Sequence, residues 1–203
     1  MRGRFLRRAI GAAAALSLLP ATAHAHLVNT GLGPFYDGVS HFALTPEDLL
    51  PALALALLAG QRGSRAGRLA LFALSAAWLV GGLAGLAFPT IQSATLLTTV
   101  SFLALGGLVA AEARLRPEWV RGLAVVVGLL HGYLNGAAMS QAKLGALGLA
   151  GIVSTLFLVV ALAAAMVVAI RVPWGRIAVR VAGSWIAAVG LLLLGWTLRG
   201  ATG

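Results

Sequence analysis

The chain has 203 residues, of which 60% are hydrophobic and only 10% carry a charged side chain. A soluble domain of this size needs a polar surface, and about a quarter of the residues of an ordinary globular domain are charged. The net charge is +10, but the basic residues cluster between apolar runs, as in membrane proteins. The composition therefore excludes a soluble globular enzyme, a disordered chain and a nucleic-acid binder. The absence of cysteine excludes disulfides and thiolate metal sites.

The N-terminal segment, residues 1–25, is predicted to be a cleavable signal peptide. Four arginines precede an apolar run at 9–19, and Ala23-His24-Ala25 is a small-residue cleavage site. The run is too short to cross about 30 Å of hydrocarbon. The alternative is an uncleaved anchor. Cleavage after Ala25 would make His26 the mature N-terminus, outside the cytoplasm.

A predicted external polar segment at 26–45 precedes a transmembrane domain at 46–203 with six apolar stretches. We place the six predicted spans at 47–60, 69–88, 93–111, 119–138, 146–170 and 179–198. Pro46 directly precedes the first span and Pro51 lies in it, so we expect that span to be broken or partly re-entrant in its N-terminal part. The predicted fold is an all-α integral membrane bundle of about six transmembrane helices.

The arginines predict how these helices are oriented. Loops 61–68, 112–121 and 171–180 carry three arginines each, whereas the intervening loops carry only Lys143 and the C-terminal tail only Arg199. Lys and Arg are enriched in cytoplasmic loops. Both mature termini are therefore predicted to lie outside the cytoplasm, which agrees with the signal peptide. The expected location is the inner membrane of a bacterium.

Small residues mark predicted contacts between spans. Without a hydrophobic force between helices in lipid, glycines allow two backbones to approach closely. The second and fourth spans carry glycines at such spacing, namely Gly81, Gly82 and Gly85, and Gly128, Gly132 and Gly136.

His131 is the most informative polar residue, because it lies near the middle of the fourth predicted span. An ionisable side chain at that depth is costly and is a functional candidate by default. Asn135 follows four residues later and so shares its helix face. The alternative is a neutral histidine that hydrogen-bonds a neighbouring helix as a packing contact. We interpret His131 as a midplane metal ligand and Asn135 as its support.

The external segment carries further candidate metal ligands. Asp37 and His41 are four residues apart and would share one side of a helical turn. A carboxylate oxygen with an imidazole nitrogen suits nickel, cobalt or zinc, although a surface ion pair or a helix cap would explain the pair equally. The free amine and imidazole of a mature N-terminal His26 could chelate a metal ion, or that terminus could be disordered.

Glu47 and Asp48 follow Thr45-Pro46. A helix start explains this order completely, because Thr is a good N-cap, Pro suits the first helical position and acids favour the first turn. As a second role, we expect both acids to raise the local cation concentration at the outer entrance.

No catalytic motif is apparent. The sequence contains no metalloprotease, hydrolase, P-loop or dinucleotide-binding signature, and no Ser/His or paired-Asp arrangement is visible inside the predicted spans. His131 has no second intramembrane histidine for haem ligation. We expect no enzymatic activity and no permanently bound cofactor.

These features together resemble the HupE/UreJ family, which are small nickel/cobalt permeases associated with hydrogenase and urease maturation. The resemblance covers most of the mature chain, and its specific part lies at 33–50 and 131–139. The family motif H-P-x-x-G-x-D-H is partly kept. Gly38 and His41 match its glycine and final histidine, whereas Ser40 stands in place of the aspartate. Asp37 lies one turn earlier, and Asn135 is the nearest match to a second polar residue after the H-G pair.

The hypothesis from the sequence is a secondary permease for a divalent transition metal ion, with nickel or cobalt favoured. The alternative is a non-transporting membrane metal-binding or assembly subunit that supports a metalloenzyme system. A third hypothesis is a proton-coupled permease for a small solute, with His131 as the proton carrier. The expected partners are the metal ion, the lipid bilayer and metalloenzyme maturation proteins, and a homo-oligomer is compatible with the sequence. No nucleotide site is apparent, so we expect the membrane potential to drive uptake.

Overall fold

The computed structural model describes residues 30–90 and 94–200, and over these ranges the secondary structure is entirely helical. The predicted signal peptide and His26 lie outside the described residues. In chain order the helices are α1 (Pro34–Leu44), α2 (Pro46–Gln61), α3 (Ser64–Ala87), α4 (Thr95–Ala110), α5 (Pro117–Gln141), α6 (Gly145–Ala169) and α7 (Pro173–Gly200). The all-α prediction is confirmed for the described residues.

Four to five of the predicted spans reach the length and hydropathy of a membrane-crossing helix. α3, α5, α6 and α7 qualify alone, and α1 and α2 qualify as a pair bent by 70°. α4, in the third predicted span, is apolar but has only 16 residues. At 1.5 Å per residue it measures about 24 Å, which is shorter than the hydrocarbon core of about 30 Å.

The predicted first span, 47–60, is one continuous helix, so the expected break inside it is wrong, and the bend lies just before it, at Thr45. Thr45 has an extended backbone (φ −99°, ψ 99°) between α1 and α2. The ring of Pro46 disfavours helical geometry at the residue before it, so α1 must end there. Proline then begins α2 without loss, because the first N–H groups of a helix have no partner inside it. Pro51, in contrast, is accommodated inside α2.

α2 is the central helix of the bundle and contacts each of the other six described helices. The inner part of α2 is made of alanine, leucine and glycine, and its buried residues include Ala52, Ala54, Leu55, Ala56, Leu57, Leu58, Ala59 and Gly60. The outer helices expose large apolar side chains instead, for example Leu192 and Trp196 of α7. This distribution is typical of a bundle that faces lipid.

The glycines of the second and fourth spans do mark close helix contacts, as predicted, and the structure shows that these two helices contact each other. A methyl group at Gly132 of α5 would overlap the backbone of Trp78 in α3, and one at Gly136 would overlap the backbone of Gly82. In the other direction, a methyl group at Gly85 would overlap the backbone of Tyr133. Backbone-to-backbone packing of this closeness is possible only without Cβ atoms.

The three arginine-rich loops meet at one end of the bundle, which we call the arginine end. Arg65 pairs with Glu118 at 3.4 Å and so joins the first loop to the second. Arg180 Nε donates a hydrogen bond of 2.9 Å to the backbone oxygen of Ala110 and joins the third loop to the end of α4. Arginine-rich and arginine-poor loops alternate along the chain. In the folded bundle the arginine-rich loops therefore lie together at one end, which carries more positive charge than the other end.

Candidate functional site

A buried carboxylate lies between two imidazoles. Asp48 Oδ1 is 3.2 Å from Nδ1 of His131, and Asp48 Oδ2 is 3.8 Å from Nε2 of His41. The three side chains come from α2, α5 and α1, so the tertiary fold alone brings them together. His131 has no exposed surface, whereas the His41 side chain is 17% exposed. The cluster is therefore closed on its inner side and reachable from the side of His41.

The imidazole of His131 is held by groups from two more helices. Trp78 of α3 stacks on it, with ring centroids 5.5 Å apart and an interplanar angle of 26°. Ser101 Oγ of α4 lies 3.2 Å from Nε2 and also donates to the backbone oxygen of Thr98 at 2.6 Å. Both ring nitrogens thus have polar partners, and the ring orientation is set from three sides.

The arrangement Ser101–His131–Asp48 corrects one expectation from the sequence. We saw no Ser/His arrangement inside the predicted spans, and this was wrong: the order hydroxyl, imidazole, carboxylate is that of a hydrolase relay. No spacing pointed to Ser101, because it lies on a different helix from both partners. In this structure the Ser101 hydroxyl donates its hydrogen to the backbone oxygen of Thr98 and not to the imidazole, so the three residues do not have the hydrogen-bond direction of that relay.

Asn135 contacts the backbone of His131 and not its ring. Its Nδ2 donates to the His131 backbone oxygen at 2.9 Å, one turn earlier on the same helix. Its Oδ1 is buried and has no hydrogen-bond partner among the described residues. A buried acceptor without a donor costs about 1–3 kcal/mol. An incoming cation or donor beside His131 would remove that cost.

Of the other predicted site residues, Asp37 and Glu47 lie apart from this cluster and Asp48 lies in it. Asp37 accepts hydrogen bonds from the Thr30 backbone N–H (2.7 Å) and hydroxyl (2.6 Å), and it forms no ion pair with His41 in the part of the chain that the structure describes. Glu47 is exposed to solvent. Asp48, which we had grouped with Glu47 at the entrance, is instead 5% exposed and inside the cluster.

In the described conformation, the cluster is joined by close polar contacts. Within residues 30–90 and 94–200, no group of three or more His, Cys, Asp or Glu side chains converges to hold a metal ion. Asp48 directs one oxygen to each imidazole instead. Metal binding here would require the carboxylate and the imidazoles to turn toward one common point.

The cluster lies in the half of the bundle remote from the arginine end. α5 runs from Pro117 at the arginine end to Gln141. At 1.5 Å per residue, His131 is about 21 Å along the helix from Pro117 and about 15 Å from Gln141. His131 is thus two residues past the middle of α5, near the middle of the helix as predicted.

A bundle of apolar helices with a buried polar cluster defines a multi-pass membrane protein. The chain matches the family described as HupE / UreJ protein over residues 14–193. The protein therefore belongs to the HupE/UreJ family, as the resemblance of its motifs predicted. Searches of curated proteins and of solved structures gave no match.

Proposed function

We propose that the protein is a secondary permease for a divalent transition metal ion, nickel or cobalt in preference, and that it moves the ion toward the arginine end. The observation that carries the proposal is the buried Asp48 carboxylate between His41 and His131. One carboxylate with two imidazoles is a donor set that nickel, cobalt and zinc accept readily. Membership of the HupE/UreJ family supports nickel and cobalt among these.

The ion reaches His41 first, because His41 is the exposed member of the cluster. The Asp48 carboxylate then supplies the negative charge that offsets lost hydration, and His131 is the deepest ligand. Asn135 Oδ1, which has no hydrogen-bond partner among the described residues, is a further oxygen donor one helical turn from His131. The donors are few, which a permease needs because its ligands must also release the ion.

Trp78 and Ser101 position the His131 ring without binding the ion. Groups that orient a metal-binding imidazole change metal affinity by about 10–100-fold when they are removed. The driving force is the membrane potential, which contributes about 2.3 kcal/mol per charge per 100 mV and so twice that for a divalent ion. The chain itself has no catalytic role in this proposal and carries no resident cofactor.

The proposal is tested with the purified full-length protein in liposomes that contain a cobalt-quenched dye. Wild type should show cobalt(II) influx that saturates and that nickel(II) inhibits. Asp48→Asn and His131→Gln keep side-chain size and should lower influx by about tenfold or more, because each removes a donor. Glu118→Gln is the control, since it removes only an exposed ion pair with Arg65.

Two results would contradict the proposal. If wild type moves no metal but binds it, the protein is the alternative, a non-transporting metal-binding or assembly subunit. If wild type transports and both cluster variants transport equally well, the route through Asp48 and His131 is wrong. Influx of a small solute with protons, without competition by metals, would favour the proton-coupled permease.

A further inference from the structure

A second polar site lies at the other end of the central helix. A cavity of about 150 Å³ opens where α2, α4 and α6 end, and Gln61, Glu112 and Arg176 are the polar side chains that line it. This volume is large enough for several water molecules, since each water occupies about 30 Å³ in the liquid. Gln61 follows Asp48 by thirteen residues on α2, or about 20 Å, and the residues between them are apolar.

The helix ends around this cavity carry partial negative charge, although several of their carbonyl groups already accept hydrogen bonds, namely Gly60 from Gly63, Val109 from Gln61 and Ala110 from Arg180. Each helix C-terminus carries about half a negative charge on carbonyl groups that have no partner in the helix. Three such ends meet here: Gly60 and Gln61 belong to α2, Glu112 follows α4, and Val167 and Val168 belong to α6.

The side chains add two oxygen donors. The Gln61 Nε2 donates to the Val109 backbone oxygen at 3.1 Å, which leaves Oε1 buried with no partner among the described residues. Glu112 is half-buried, and its carboxylate makes no ion pair within the described ranges, whereas the other acid at this end, Glu118, pairs with Arg65.

Glu112 also occupies a backbone position that favours glycine. Its φ is +50°, and it follows α4 in a helix-ending turn in which Glu112 N–H donates to Val109 and Ala113 N–H donates to Leu108. Glycine is the usual residue there, because a Cβ is strained at positive φ. The same backbone position is occupied by Lys143 after α5, so the strain alone does not assign a role, and Glu112 is distinguished by the cavity that it lines.

We propose that this cavity is an inner station for the transported divalent cation, with the Glu112 carboxylate and the Gln61 amide oxygen as its ligands. The inference rests on the proposed permease function. The ion binds at Asp48, passes along α2 and binds at Glu112 before it leaves. Arg176 in the same wall keeps the affinity low, so that the ion is released.

The first experiment measures cobalt(II) binding to the full-length protein in detergent, without any transport. Wild type should bind two ions at saturation. Glu112→Gln should abolish one of these sites and keep the other, and Asp48→Asn should do the converse. Binding by Glu112→Gln equal to that of wild type would overturn the inner station.

The second experiment compares Glu112→Gly with Lys143→Gly. Lys143 has φ +59° in the same kind of turn at the opposite end, so both substitutions relieve the same strain and neither should lower Tm. In liposomes, Glu112→Gly should lower the maximal cobalt influx about tenfold, with an unchanged half-saturating concentration, and Lys143→Gly should leave influx unchanged. Equal influx in the two variants would contradict the inner station.

The two proposals fail in different ways. If wild type transports and Glu112 has no effect on binding or influx, the inner station is wrong and the permease stands. If wild type binds two ions and transports neither, the permease is wrong, whereas the Glu112-dependent binding site stands.

Discussion

At the scale of single residues, Glu47 and Asp48 show how two neighbouring acids take different roles. Both lie in the first turn of α2, where acids are favoured. Successive residues of a helix are turned by about 100°, so Glu47 faces solvent while Asp48 faces the two histidines. The helix start that explains Glu47 completely does not explain Asp48, whose burial requires partners.

Two serines, the half-buried Ser101 of α4 and the buried Ser75 of α3, allow a test of how the His131 ring is held. Ser101→Ala removes the hydroxyl that lies 3.2 Å from His131 Nε2. We expect the half-saturating cobalt(II) concentration to rise about tenfold, because the ring loses a positioning contact. The loss of stability should be only about 1 kcal/mol.

Ser75→Ala is the matched control. The Ser75 hydroxyl is buried and has no hydrogen-bond partner in the described part of the chain. Its removal should leave transport unchanged and stability unchanged or higher. Cobalt influx curves and Tm in detergent check both variants, and equal effects of the two substitutions would show that the Ser101 contact does not position His131.

At the scale of helices, glycine determines which helices can pack backbone to backbone. α5 carries Gly132 against the Trp78 backbone of α3, and the same contact brings Trp78 over the ring of His131. The packing of α3 against α5 therefore also determines the position of Trp78 relative to the His131 ring. A change in the separation of α3 and α5 would displace the ring as well.

Gly132→Ala should separate α3 from α5, because the added methyl group meets backbone atoms that cannot yield. We expect a loss of about 1–3 kcal/mol in stability and reduced cobalt influx. Gly122→Ala on the same helix is the control, since nothing lies within 4 Å of its added methyl group. There alanine should be neutral or stabilising by up to about 1 kcal/mol. Thermal unfolding followed by size-exclusion chromatography distinguishes the two, and similar Tm values would contradict this packing.

At the scale of the whole molecule, charge distinguishes the two ends. The arginine loops converge at one end, and the Asp48 cluster lies in the half away from them. Lys and Arg are retained on the cytoplasmic side, so we predict that the His41 side faces outward. An ion would then enter where positive charge is sparse and leave among arginines, down the membrane potential.

The absence of native cysteine makes this orientation directly measurable. Lys143→Cys and Arg116→Cys introduce one exposed thiol at each end. In intact spheroplasts, a membrane-impermeant maleimide should label the Lys143→Cys variant, and it should label the Arg116→Cys variant only after permeabilisation. The reverse pattern would invert the proposed topology and the direction of transport.

The sequence by itself determined the helical class, the positions of the apolar helices and the alternation of arginines. Hydropathy, proline and charge act over contiguous stretches of chain, so they can be interpreted without knowledge of the fold. The signal peptide and His26 stay predictions, since they lie outside the described residues.

Only the tertiary structure decided which polar groups meet. Asp48 and His131 are 83 residues apart in the sequence. Ser101 lies on α4, and Glu112 lies just after the end of α4. Local spacing suggested a pair of Asp37 with His41, but the fold pairs Asp37 with Thr30 and brings Asp48 to His41. The physical reason is that contact between side chains of different helices depends on how the helices cross and rotate, which no short stretch of sequence specifies.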